Sequence, residues 1–149
     1  MIEEGAKFPE FSLSDQHGRV VNLKDLIGSK AVVYFYPKDD TSGCTVEACE
    51  FRDAYGEIDG VRVLGVSPDD QKSHKKFSDK FSLNFSLLVD HEHALADLLG
   101  IWVEKSMYGK KYMGIERTTY VLDEAGIITK IFRKVKPQGH AAEVSASLG

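Results

Sequence analysis

No apolar run in this sequence approaches the roughly 20 residues that a membrane-spanning helix needs, so no membrane partner is expected. The opening stretch, MIEEGAKFPE, has acidic residues and no apolar core, so no secretory leader is expected and a reducing cytoplasm is the expected compartment. Positive charge is not in excess: 19 Lys and Arg stand against 23 Asp and Glu, a formal net charge of −4, which argues against a broad nucleic-acid-binding surface. Cysteine is scarce. Two residues, Cys44 and Cys49, fall short of the about four ligands of a closed zinc site. His17, His74, His91, His93 and His140 are scattered, and the one close pair flanks Glu92 in VDHEHALADLLG, which reads as a solvated turn opening a helix. No metal is therefore expected. There is no internal repeat, linker or low-complexity segment.

What is present is the composition of an ordinary folded protein, 42% apolar and 28% charged over 149 residues, enough for one domain with a sizeable core. Residues 1–10 read as an extended lead-in. Phe11–Ser14 and Arg19–Asn22 alternate around Asp15–Gly18 as a β-hairpin. Leu23–Ile27 forms a helical turn closed by Gly28, and Ala31–Tyr36 is the first core strand. A helix over Cys44 to about Asp59 follows, with Val46, Cys49, Tyr55 and Ile58 among charged residues. Next come a strand at Val61–Val66, a basic amphipathic helix at Asp70–Phe81 with a solvated lysine face, and a short strand at Leu87–Val89. Glu92–Leu99 is a helix stopped by Gly100. Ile101–Gly114, with the single tryptophan Trp102, reads as an irregular segment that either lines a site or covers one edge of the core. Thr118–Leu122 and Ile127–Phe132 form a hairpin, and Pro137–Leu148 is a final helix. From residue 31 the order is β-α-β-α-β-α-β-β-α. That predicts an α/β fold with parallel strands, crossover helices and an antiparallel edge.

Both cysteines lie in YFYPKDDTSGCTVEACEFRD, where a strand gives way to a helix. In a reducing compartment such a pair is more often catalytic or redox-sensing than a structural staple. Cys44 stands in or near the first helical turn, where free N–H groups and the positive end of the dipole favour its thiolate, the reactive form. The hydroxyl of Thr41, three residues upstream, can reach toward the sulfur or an oxygen ligand. An arginine can add positive charge. Arg117, at the head of Thr118–Leu122, is the better candidate; Arg52 sits about two turns along the same helix. Pro37 lacks an N–H and can shield the thiolate from water. The opposing reading is a small, inert, buried cysteine. The polar DDTSG ahead of it argues against deep burial.

Residues five apart on an ideal helix have Cα atoms about 8.7 Å apart, from a 1.5 Å rise, 100° turn and 2.3 Å radius. A disulfide is implausible beyond about 7 Å. Either Cys49 is inert, or oxidation linking Cys44 to Cys49 unwinds the helix between them.

Pro37, Thr41 and Cys44 make the P-x-x-x-T-x-x-C signature of peroxiredoxins. Together with GVSPDD, MYGKKYMGIERTTYVLD and KVKPQGHAAEV, the cysteine stretch resembles the bacterioferritin-comigratory-protein (peroxiredoxin Q) subfamily from about Phe8 to the C-terminus. The resemblance implies a thioredoxin-like fold with an N-terminal β-hairpin, and a thiol peroxidase acting on hydrogen peroxide and alkyl hydroperoxides. It implies that Cys44 is the peroxidatic cysteine, Thr41 and Arg117 its activating partners, and Pro37 its shield. Glu47 matches a glutamate that orients the arginine, and Cys49 the resolving cysteine found in many members. Arg133 has no role in the pattern. The implied cycle runs through a Cys44 sulfenic acid and a Cys44–Cys49 disulfide, recycled by thioredoxin or a similar dithiol, in a protein that leans to a monomer over a homodimer. Sulfur carries the redox chemistry, so no cofactor is expected. Two other functions fit parts of the pattern. A general dithiol–disulfide oxidoreductase would share the helix N-terminus but usually spaces its cysteines C-x-x-C. A non-enzymatic redox sensor would be oxidised without turnover.

Overall fold

The structure, a computed structural model, describes residues 2–55 and 60–148. Its centre is a five-stranded mixed sheet built around the first core strand. That strand, β3 (Lys30–Phe35), follows a small antiparallel hairpin of β1 (Ser12–Ser14) and β2 (Val20–Asn22) and a 3-10 turn at Leu23–Leu26. Beyond β3 come α1 (Ser42–Tyr55), β4 (Val61–Ser67), α2 (Gln71–Phe81), β5 (Ser86–Val89), a 3-10 turn at His91–His93 and α3 (Ala94–Leu99). The chain then forms β6 (Trp102–Met107), β7 (Lys110–Ile115), β8 (Thr118–Leu122), β9 (Ile128–Phe132) and α4 (His140–Ser147). The sheet order is β5-β4-β3-β8-β9. β3 and β4, and β4 and β5, are parallel; β3 and β8, and β8 and β9, are antiparallel. This is the mixed α/β architecture that the alternation of elements predicts.

The period-two geometry of strands sorts the core into two faces. Ala31, Val33 and Phe35 of β3 pack with Leu64, Val66, Leu95, Leu99 and Tyr120 on one side. Val32 and Tyr34, with Tyr36 just beyond the strand, pack on the other against Cys44, Ala48, Phe51, Phe77 and Val144, where α1, α2 and α4 lie. Five of the six β3 residues are buried, because helices or loops cover both faces, so the strand reads as a nearly continuous apolar run. Gly65 of β4 pairs with Tyr34. A Cβ there would come within 2.9 Å of both the Tyr34 hydroxyl and Leu87 Cδ2.

Three elements differ from the reading of the sequence. Ile101–Gly114 is not irregular: β6 and β7 pair from Trp102↔Ile115 to Met107↔Lys110. Tyr108 and Gly109 form the two-residue turn, with φ of 52° and 78°. Both positions have the positive φ of tight hairpin turns. The hairpin is mostly exposed on both faces, so it lacks the apolar alternation that announces a strand. The helix expected over Glu92–Leu99 is broken, with Glu92 and His93 at φ of 54° and 50°. α3 proper starts at Ala94, where the Asp90 carboxylate accepts from the Leu95 and Ala96 N–H groups at 2.8 and 2.9 Å. The last helix begins at His140 rather than Pro137. α1 starts at Ser42, and residues 56–59 of the expected helix lie outside the described residues.

Candidate active site

The end of β3 delivers the chain to the site. Tyr36 N–H donates to Val66 O at 3.0 Å, continuing the sheet one residue beyond the strand, and Pro37 then turns the backbone away. The loop that follows is pinned from below. Asp39 N–H donates to the Asp69 carboxylate at 2.8 Å. The Asp39 carboxylate accepts from Ser73 Oγ at 2.8 Å and lies 2.7 Å from His74 Nδ1, while His74 Nε2 faces Leu88 O at 2.8 Å. Asp39, Asp69 and His74 bring ligand-type atoms within 4.8 Å of one another. Those atoms are engaged with each other and with Ser67 and Ser73, which accounts for the cluster as a loop anchor. The sequence reading did not single it out; its only local trace is the GVSPDD stretch.

The anchored loop ends at Thr41, whose carbonyl accepts the Thr45 N–H at 2.8 Å and opens α1. Cys44 is the third residue of that helix, in the first turn where N–H groups lack intrahelical partners. Helical side chains lean toward the N-terminus. Here that lean takes the sulfur back under the polar loop and into the aromatic cluster of Tyr34, Tyr36 and Phe51. Cys44 is 1% exposed, so the expectation that a polar loop would keep it from deep burial is corrected. The loop is at the surface; the cysteine after it is not.

The buried thiol has a cation aimed at it. Arg117 Nη2 donates to Cys44 Sγ at 3.0 Å, and Nη1 donates to Glu47 Oε1 at 3.1 Å. A guanidinium directed at sulfur stabilises negative charge there. Glu47 is 1% exposed, and burial raises its pKa from the usual 4.5 to about 7 against the opposing pull of Arg117. Its Oε2 has no hydrogen-bond partner among the described residues. Of the two candidate arginines, Arg52 is engaged elsewhere, donating to Phe81 O at 2.6 Å and to Asp53 at 2.9 Å.

Thr41, whose hydroxyl is expected to reach toward the sulfur or an oxygen ligand, donates it to Lys38 O at 3.0 Å. The hydroxyl oxygen keeps its acceptor capacity on the exposed side of the loop. Pro37 is half-buried at the end of the strand. Cys49 is half-buried, both thiols are free, and α1 runs unbroken past both cysteines. The separation of about 8.7 Å expected of an ideal helix therefore stands in this state.

Two further parts of the site carried no signal that the sequence reading used. Lys105 of β6 is half-buried, and desolvation followed by the charge of Arg117 holds its ammonium pKa below the usual lysine value. The hairpin that could either line a site or cover an edge thus adds a second cation to the field around Arg117. On the opposite side, Ser42, Gly43, Val46, Lys136, Pro137 and Gln138 line a groove of about 450 Å³ at the helix N-terminus.

Comparison with known proteins converges on one group. The model of the AhpC/TSA family matches residues 5–131. The chain is 49% identical to "Peroxiredoxin Bcp" of Bacillus subtilis, covering 99% of this chain and 95% of that protein. It is 48% identical to "Putative peroxiredoxin bcp" of Coxiella burnetii, covering 99% of both. Among solved structures, a cysteine-to-serine mutant of Xylella fastidiosa PrxQ superposes with a TM-score of 0.94 at 32% identity, covering 99% of this chain and 96% of that one. A structure of Xanthomonas campestris bacterioferritin comigratory protein, studied for alkyl peroxide reduction, gives 0.87 at 42% identity over 93% of this chain and 89% of that one.

Proposed function

The chain belongs to the AhpC/TSA family, in its bacterioferritin-comigratory-protein (peroxiredoxin Q) branch, and from that membership and the contact at Cys44 we propose how it works as a thiol-dependent peroxidase. The observation that carries the residue assignment is the 3.0 Å contact from Arg117 Nη2 to Cys44 Sγ. A charged donor aimed at the sulfur favours its attack as a nucleophile.

In this reading the Cys44 thiolate attacks one oxygen of a hydroperoxide in line. The O–O bond breaks, the sulfur gains one oxygen and is oxidised to a sulfenic acid, and the other oxygen leaves as alkoxide or hydroxide and takes up a proton. Arg117 and the free N–H groups of the α1 first turn stabilise the charge on the departing oxygen. Thr41 accepts a hydrogen bond from the hydroperoxide O–H through its hydroxyl oxygen, orienting the O–O bond, while its own O–H keeps donating to Lys38 O. Glu47 holds the guanidinium in place through Nη1. Pro37 keeps a backbone donor and solvent away from the sulfur. The Cys49 thiol then attacks the Cys44 sulfenic acid, releasing water and forming a disulfide. That step needs α1 to open. A dithiol protein such as thioredoxin reduces the disulfide by exchange, in a reducing cytoplasm. In this reading the protein works as a monomer, as the family resemblance leans, with a homodimer as the alternative.

Stopped-flow mixing of the reduced protein with hydrogen peroxide or an alkyl hydroperoxide, followed by thioredoxin, tests the reading. Peroxide-dependent oxidation of thioredoxin supports it. Insulin-type disulfide reduction without peroxide turnover would identify a general oxidoreductase, and a single stoichiometric oxidation would identify a sensor. Cys44→Ser is expected to abolish turnover. Cys49→Ser is expected to keep the first oxidation and lose the intramolecular disulfide; normal recycling by thioredoxin in that variant would remove Cys49 from the mechanism.

A further inference from the structure

Gly43 stands beside Cys44 in the first turn of α1. Its backbone is not in the left-handed region, so conformational freedom does not explain a glycine here. Space does. A Cβ built on Gly43 would lie 3.0 Å from Arg117 Nη2, 3.7 Å from its Cζ and 3.3 Å from Pro137 Cγ. The nearest of these atoms, Nη2, is the one that donates to Cys44 Sγ. We propose that Gly43 is a positioning residue of the peroxidase reaction, its missing side chain being the slot through which Arg117 reaches the sulfur.

The guanidinium has little freedom to give way sideways. Its other terminal nitrogen is held by the buried Glu47 carboxylate at 3.1 Å. Its backbone carbonyl accepts the Val135 N–H at 3.0 Å, which ties it to the connector between β9 and α4. That connector is fixed to α1 in turn, because Gly139 N–H donates to the Glu50 carboxylate at 2.9 Å. A methyl group at position 43 must therefore displace the guanidinium by a few tenths of an ångström. The Arg117 side chain is 18% exposed and Cys44 only 1%, so a guanidinium that yields toward solvent moves away from the buried sulfur. Hydrogen bonds weaken steeply with distance and misalignment, so the contact to Cys44 is the one lost. Alanine is also the better helix former, so the substitution should not cost the fold.

The proposal rests on the assignment of Cys44 as the sulfur attacked by peroxide, and the test separates the two. The full chain carrying Gly43→Ala is compared with the parent in three measurements: the rate of Cys44 oxidation by hydrogen peroxide, the pH profile of Cys44 alkylation by iodoacetamide on a Cys49→Ser background, and the thermal midpoint. The expected result is about a tenfold slower oxidation, equivalent to about 1.4 kcal/mol. The alkylation profile should move to higher pH, with the midpoint unchanged or raised. On an Arg117→Ala background, Gly43→Ala should cost nothing more. An unchanged rate and alkylation profile would overturn the slot, as would a full tenfold loss without Arg117, or a loss accompanied by a lower midpoint. If the parent protein itself fails to react with peroxide, the peroxidase assignment falls, and the alkylation profiles still decide the slot.

Discussion

Arg117 divides one guanidinium between a sulfur and a carboxylate, and the division is what a lysine cannot copy. Nη2 serves Cys44 and Nη1 serves Glu47 from a single planar group. Arg117→Ala is expected to slow Cys44 oxidation by about 10²-fold, the scale of losing one preorganised donor to developing charge. Arg117→Lys should recover only part of that, because an ammonium that reaches the sulfur releases the carboxylate. Stopped-flow oxidation rates check both variants, and equal rates for Lys and Arg would mean that charge alone matters. A second residue makes the opposite kind of prediction. Tyr34 is 1% exposed and its hydroxyl lacks a hydrogen-bond partner among the described residues. An unsatisfied buried hydroxyl costs free energy, so Tyr34→Phe should raise unfolding stability by about 1 kcal/mol. A fall in stability on urea denaturation would show that the hydroxyl is satisfied. The chain itself displays Pro37, Thr41, Cys44 and Arg117 as candidates, because three of them sit at a strand-to-helix junction and the fourth heads a strand, while Glu47 enters through the resemblance to peroxiredoxins. The depth of Cys44, the Lys38 partner of Thr41 and the Asp39–His74 anchor are not readable in the same way. The first depends on which side the helix leans, the second on how the loop turns between Lys38 and Thr41, and the third on contacts 30 or more residues apart.

At the level of elements, the proposed cycle asks α1 to be stable enough to hold Cys44 under Arg117 and weak enough to open. Glu47 bears on both. Its pKa of about 7 in the folded chain lies above the ordinary 4.5. Between those values the folded protein keeps a proton that the unfolded chain has released, so stability falls as pH rises across that window. The contribution is fully present below pH 4.5 and lost above 7, and is on the order of 3 kcal/mol. Glu47→Gln cannot titrate and should flatten the slope of urea stability between pH 5 and pH 8. The same variant should slow Cys44 oxidation, since a neutral amide holds Arg117 less firmly. A parent protein with no slope in that window would show that the carboxyl is already ionised when buried. The five-residue spacing of the cysteines shows from fixed helix geometry that an intact α1 keeps them too far apart for a disulfide, which leaves either an inert Cys49 or a helix that opens. The β6–β7 hairpin was not legible in the sequence, because an exposed ribbon with charge on both faces lacks the alternation that reveals a strand.

For the whole molecule, the sheet divides stability from chemistry. Both faces are packed with aromatics, and only one of them carries the reactive thiol. Phe8 is 1% exposed, edge-on to Phe11 and Tyr120, on the face away from α1. Phe51 is 0% exposed, on α1 itself, stacked on Tyr34 with centroids 4.7 Å apart. Either phenylalanine replaced by alanine leaves a cavity and should cost about 3–5 kcal/mol of global stability. Their effects on the cycle should differ. Phe51→Ala removes part of what holds α1 to the sheet, so the opening that lets Cys49 reach an oxidised Cys44 becomes less costly and disulfide closure speeds up. Phe8→Ala loosens a face that α1 does not touch, and closure should proceed at the parent rate wherever the variant is folded. Hydrogen exchange of the α1 amides, set beside the rate of disulfide formation after a pulse of peroxide, decides between them. Faster exchange in α1 for Phe51→Ala only, matched by faster closure, is the expected outcome. Equal acceleration in both variants would mean that α1 opens only with the whole domain, and that the two faces of the sheet are one cooperative unit.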